Sequence, residues 1–243
     1  SESLQFNVSA LHHMIIIAFA KNKGDTAAEI LRKEQKKVGR ILDKHYTWTI
    51  SGVFDQCLTI LTSEENVRGT YEDIIQNLQE EIQGDKDDWK FVVCRGWNGT
   101  TDIRNACVES KTYLQDAMII FPRKKLLTSK EIQFAGKCRQ VLFRGEESVQ
   151  AELLPLKDLD ERWDGDLYKT LETYFLDADM SIVKTAEILY LHKNTIKYRI
   201  SKLTEIFHYR INKMPEAYDL YRAVAIHRLI TKLNLTSKSR TVR

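Results

Sequence analysis

The chain has 243 residues, 43% hydrophobic and 29% charged, with ten glycines and three prolines; this is a folded globular composition and excludes collagen-like and disordered classes. Its longest apolar run, Met14–Ala20, is too short to cross a bilayer, and no secretory leader opens the chain. The net charge of +3 is small, but seven basic and two acidic residues fall between Ser181 and Lys213, a local surplus that suits a polyanionic partner.

Four cysteines, Cys57, Cys94, Cys107 and Cys138, are widely spaced with no C-x-x-C. That pattern reads as reduced, buried thiols of a cytoplasmic protein, not as a metal or redox site. No cofactor and no metal is expected. The first residue is Ser1, which suggests a piece of a longer protein lacking some N-terminal region.

In chain order, Met14–Ala20 is an Ile-rich buried strand. Lys23-Gly24-Asp25 breaks it, and Asp25 or Thr26 caps a helix whose apolar positions Ala27, Ile30, Leu31, Val38, Ile41 and Leu42 keep helical spacing. Tyr46–Val53 and Gln56–Leu61 are β-rich and flank a short turn, so they form a hairpin. Tyr71–Ile82 is a second amphipathic helix and Lys90–Cys94 a further strand, ended by a Gly96–Gly99 turn. Thr101 or Asp102 then caps a helix to about Met118. The order β-α-β-β-α-β-α, with helices on one face of a mixed sheet, predicts a ferredoxin-like α+β domain. Ser129–Gln150 has a helical pattern, Glu146–Leu154 reads as a connector, and everything after Gly165 is helical. The expected division is an α+β domain over 1–145, a linker over 146–164, an all-α domain over 165–235 and a disordered tail over 236–243.

The all-α region holds the most specific signal. Ser181 is a good N-cap for a short helix, Ile182–Leu189, and the small Ala186 in its middle lets another helix cross closely. Tyr190-Leu191 makes a turn, with Leu191 as an apolar plug. His192 or Lys193 starts a second helix to about Phe207, with a narrow apolar stripe of Ile196, Ile200, Leu203 and Phe207. Opposite that stripe lie Asn194, Lys197, Tyr198 and Ser201, flanked by Lys193, Arg199 and Lys202.

This chemistry fits double-stranded DNA. Asn pairs bidentately with adenine, and Lys or Arg donates to guanine or phosphate. Thr195, Tyr198 and the helix N-terminus suit phosphate oxygens, and recognition helices present their N-terminal residues to base edges. The alternatives are a helical hairpin with a merely solvated polar face and a protein-interaction module whose C-terminal helices bind another protein rather than DNA.

The run Ser181–Leu203, SIVKTAEILYLHKNTIKYRISKL, resembles the C-terminal helix-turn-helix of the PucR/CdaR family of bacterial transcription regulators. Ala186, Leu189, Tyr190, Leu191, His192, Lys193, Asn194, Thr195, Ile196, Tyr198, Arg199, Ile200 and Leu203 carry the likeness. The leading segment Leu167–Phe175 and the closing Leu220–Leu229 extend it over about 153–229. A weaker similarity to Fis-type helices agrees. Lys193 departs from the family's usual arginine, so charge survives there without bidentate geometry. The resemblance implies a regulator, usually an activator, of catabolic operons such as purine catabolism. Its implied DNA-binding residues are His192, Lys193, Asn194, Thr195, Lys197, Tyr198, Arg199 and Lys202. It further implies a homo-oligomer and a small-molecule effector acting through a missing N-terminal region or the first domain.

That first domain resembles the degenerate GGDEF-like domain that precedes this helix-turn-helix in the family. An active GGDEF domain condenses nucleoside triphosphates and needs acidic metal ligands near the first strand and the hairpin. Met14–Ala20 carries no acid, and Ser51–Gln56 keeps only Gly52 and Asp55. No catalytic residue is therefore expected. His12 and His13 alternate across a strand and make a poor joint ligand pair. Asn98-Gly99-Thr100 is a sequon in letters but reads as a turn into a helix.

Overall fold

The computed structural model of the chain describes residues 11–19, 25–46, 49–54, 56–63, 69–82, 88–95, 100–160 and 165–240. It divides into two compact units, Ser1–Gln115 with Lys124–Gln133, and Asp116–Arg123 with Phe134–Arg243.

The first unit holds a five-stranded sheet in the order β2-β3-β1-β4-β5. Its strands are β1 (Leu11–Phe19), β2 (Thr49–Phe54), β3 (Cys57–Ser63), β4 (Trp89–Arg95) and β5 (Leu126–Thr128). Neighbours among the first four pair antiparallel, and β5 runs parallel to β4. Helix α1 (Asp25–Leu42) links β1 to β2, and α2 (Tyr71–Glu81) links β3 to β4. These are the two split crossovers of a ferredoxin-like sheet, as the element order predicts. β5 escaped prediction because three residues after the basic run Arg123–Lys125 show no period.

The alternation of β1 explains its unbroken apolar sequence. Ile15, Ile17 and Phe19 join Leu58, Ile60, Trp89, Phe91 and Val93 in the core with α1 and α2. Met14 and Ile16, on the opposite face, are also fully buried. Helix α3 (Thr100–Ile120) serves that second face, where Ser110 Oγ lies 3.5 Å from Cys94 Sγ. The expectation of helices on one face is corrected here. A central strand buried on both faces needs two covers. Cys57, Cys94 and Cys138 are buried, while Cys107 is half-buried. Burial pushes the Cys94 thiol up, and that of Cys138 up to about 12.

The helical pattern from Ser129 to Gln150 resolves into two helices, the second beginning where the connector was expected. Helix α4 (Ser129–Phe143) stops, and α5 (Glu146–Leu153) begins after Gly145 at φ 99° and ψ −178°. That conformation is open only to glycine. The expected linker is structured in turn as α5, a 3₁₀ turn at Leu154–Leu156 and α6 (Lys157–Asp160), while 161–164 lie outside the described residues. The second unit continues with α7 (Gly165–Glu172), a π-helical turn at Thr173–Asp177, α8 (Ile182–Leu189), α9 (Lys193–Phe207) and α10 (Glu216–Arg240). Of the expected tail, α10 reaches Arg240, and 241–243 lie outside the described residues.

Helix α10 is the spine of this unit, with Leu220, Ala223, Val224, Ala225, Ile226 and Leu229 essentially inaccessible. Arg228 is buried beside them. It donates to both oxygens of Asp177 at 2.9 and 2.7 Å and to the Ile120 carbonyl at 2.8 Å, and its Nε lies 3.1 Å from Glu172. Burial alone would lower its pKa, but the Asp177 and Glu172 carboxylates outweigh that and hold it above the ordinary value. Among the described residues no helix is long and apolar enough to cross a membrane.

Candidate nucleic-acid interface

Helices α8 and α9 form the predicted hairpin. The Ser181 side chain accepts from the Lys184 N–H and caps α8. The Thr185 hydroxyl donates back to the Ser181 carbonyl at 2.7 Å, so the buried Thr185 leaves no unmet polar group. Ala186 is 7% exposed, as the close approach of a second helix requires. The chain then reverses at Tyr190, which is left-handed at φ 55° and ψ 42°. The Leu191 N–H returns to the Ala186 carbonyl at 2.9 Å, ending α8 with an αL cap.

His192 is the N-cap of α9. Its Nδ1 accepts from the Asn194 N–H at 3.2 Å. A ring that accepts at Nδ1 carries its proton on Nε2, where it can donate. His192 thus builds the helix start as well as standing beside it.

The inner stripe of α9 is Ile196 at 0%, Leu203 at 0% and Phe207 at 4% exposure, with Ile200 half-buried. Its outer face presents Lys193, Asn194, Lys197 and Ser201, all exposed, together with Tyr198 at 62% and the half-buried Thr195. The predicted contact residues Lys193, Asn194, Lys197 and Tyr198 therefore share one solvent-facing surface at the N-terminal half of the helix. There the positive end of the helix dipole adds positive potential.

Two predicted residues are held differently. Lys202 donates to Glu205 at 2.8 Å and lies 5.9 Å from the Tyr198 ring centroid; Glu205 raises its pKa. Arg199 turns inward to α7. Its guanidinium pairs with the Asp166 carboxylate and donates to Thr170 Oγ1 at 3.2 Å, and its side chain is only 16% exposed. The signal was present in the sequence. On a helix of 3.6 residues per turn, Arg199 falls about 40° from Leu203 and roughly 160° from Lys197. Sequence reasoning missed Asp166 and Thr170 as its partners because they lie in another helix. Tyr190, which the sequence places in the turn, is at 95% exposure the most open large hydrophobic side chain described.

Residues 167–226 match the family described as the PucR C-terminal helix-turn-helix domain. An uncharacterized protein of Haemophilus influenzae is 39% identical over 79 residues, which is 32% of this chain and 20% of that protein. The chain thus spans about a fifth of that relative's length. A solved structure, a regulator of polyketide synthase expression from Bifidobacterium adolescentis, is 18% identical, with 90% of this chain and 81% of that one covered at a TM-score of 0.34. The α8–α9 hairpin, its caps and its inner stripe all lie within the matched residues, so this chain carries a PucR C-terminal helix-turn-helix domain.

Proposed function

We propose that the chain is a sequence-specific DNA-binding transcription regulator that reads DNA with the N-terminal half of α9. One observation carries the reading. Within a matched helix-turn-helix domain, Lys193, Asn194, Lys197 and Tyr198 form an exposed face opposite a stripe that is buried. Asn194 and Lys197 offer donors and acceptors to base edges. Lys193, Thr195 and the His192 Nε2–H suit phosphate oxygens. One recognition helix reads a short half-site, so a homo-oligomer on a repeated operator follows. DNA as the partner places the working protein in the cytoplasm. The family likeness extends the proposal to activation of a catabolic operon, purine catabolism foremost, in response to a small-molecule effector.

The first unit is proposed as a folded, non-catalytic module of the GGDEF-like kind. Of the two hairpin residues that a cyclase would use, Asp55 lies outside the described residues, and Gly52 is covered by the Phe54 ring. A Cβ on Gly52 would meet that ring at 2.5 Å, so the ring fills the space where a nucleotide would approach the backbone. Incubation with GTP, ATP and magnesium should yield no cyclic dinucleotide; any such product overturns this part.

The direct test is fluorescence anisotropy on a duplex selected in vitro with the wild-type chain. Asn194→Ala and Lys197→Ala should each lose about 1–3 kcal/mol of discrimination between the selected and a scrambled duplex. Wild-type binding should also weaken steeply as salt rises. Unchanged affinity in both folded variants, or binding indifferent to salt, would sink the assignment.

A further inference from the structure

We infer that Arg199 is a positioning residue which clamps the recognition helix to α7, and that it is not one of the groups that touch DNA. This rests on the DNA-binding reading of α9 and reassigns one basic residue within it. Asp166 stands in the first turn of α7 and Thr170 one turn further on, so both project along the same helix edge. Arg199 reaches both. One terminal nitrogen pairs with the Asp166 carboxylate, and the other donates to Thr170 Oγ1 at 3.2 Å and approaches the Asp166 carbonyl at 3.5 Å. The Thr170 hydroxyl donates in turn to that carbonyl at 2.7 Å and is itself 0% exposed.

The three groups make a closed relay. The hydroxyl hydrogen is committed to Asp166 O, so Thr170 Oγ1 is oriented to accept from Arg199. A planar guanidinium spans the two acceptors at once, which an ammonium cannot do. The side chain sits beside Leu203 on the inner arc of α9, away from the surface formed by Lys193, Asn194 and Lys197. To reach a phosphate it would have to abandon an oriented hydrogen bond and an ion pair, and to swing around the helix. Its work is to set the rotation of α9 about its axis, and thus which side chains face outward.

The two roles predict opposite behaviour. If Arg199 positions α9, Asp166→Ala weakens binding to the selected duplex in the wild-type background, of the order of ten-fold. The same change does nothing further when Arg199 is already Ala. If Arg199 is a phosphate ligand restrained by Asp166, Asp166→Ala tightens binding. Arg199→Ala would then lower the slope of log K against log salt by about 0.9, the loss of one phosphate contact. The experiment is a double-mutant cycle over Asp166→Ala and Arg199→Ala, read by anisotropy across a salt series and by thermal melting of the same proteins without DNA. Arg199→Lys and Thr170→Val supply milder variants should the alanines fail to fold.

The expected result is a strong coupling in both readouts, an unchanged salt slope, and incomplete rescue by Arg199→Lys. A reduced slope, or tighter binding by Asp166→Ala, overturns the inference and returns Arg199 to the DNA-contacting set. Coupling absent from the melting cycle overturns it too. Should the wild-type chain bind no duplex in a salt-sensitive way, the DNA reading fails instead, and the melting cycle alone decides the clamp.

Discussion

Tyr190 places a bulky side chain where the backbone turns left-handed between α8 and α9. The αL conformation costs an L-residue about 1–2 kcal/mol, and glycine avoids that cost while losing more entropy on folding. The ring is 95% exposed, so its removal sacrifices little packing. Tyr190→Gly should leave the domain as stable or raise stability by up to about 1 kcal/mol, read by chemical denaturation. Tyr190→Val should lower it, because a β-branched side chain tolerates positive φ least. A marked loss for the glycine variant would mean that the ring packs on something. The identities of the outward residues Asn194 and Lys197 were legible from sequence, since a helical stripe of Ile196, Leu203 and Phe207 fixes its own opposite face. The inward turn of Arg199 was half-legible. Its angle was available, but Asp166 lies 33 positions away, a separation that periodicity does not reach.

Among the elements, helix ends marked by local chemistry were the ones sequence located. Ser181 at the start of α8 and His192 before α9 satisfy N–H groups within three residues of themselves, so the capping pattern is written in adjacent letters. The break between α4 and α5 falls where the expected connector begins, but its cause lies in the backbone. Gly145 stands there with φ 99° and ψ −178°. Nothing lies within 4 Å of a Cβ built there, so the constraint is conformational and not steric contact with neighbours. Gly145→Ala should cost about 1–3 kcal/mol. A thermal melt of the full chain checks this, and no change in midpoint would show that the break relaxes freely.

At the scale of the whole chain, Arg228 shows what only distant residues can build. It gathers Ile120 from the end of α3 and Glu172 and Asp177 from the end of α7 and the turn that follows it. Burial raises the Glu172 pKa, but Arg228 foremost and Lys169 outweigh it and hold the carboxylate below its ordinary 4.5. A depressed carboxylate contributes stability above its unfolded pKa and loses it as pH falls through the lower folded value. The second unit should therefore hold its stability from neutrality down to about pH 5 and lose it progressively in more acidic solution. Glu172→Gln should flatten that acid limb, followed by urea midpoints across pH; an unaltered limb would remove Glu172 from the linkage. Arg228→Ala leaves the Asp177 carboxylate, 6% exposed, without its cation and Glu172 with Lys169 alone, and should cost about 3–5 kcal/mol.

The sequence by itself determined the α+β class, the β-α-β-β-α-β order, the helix-turn-helix at Ser181–Phe207 and the outward face of α9. Each of these follows from local spacing, capping or an apolar stripe, interactions spanning at most a few turns. Only the tertiary structure decided that α3 covers the second face of the sheet, that β5 extends it in parallel, and that Arg199 and Arg228 are held by carboxylates on other segments. A buried cation must find its counter-charge wherever the packed chain brings one within reach, and that distance in space is not encoded in distance along the chain.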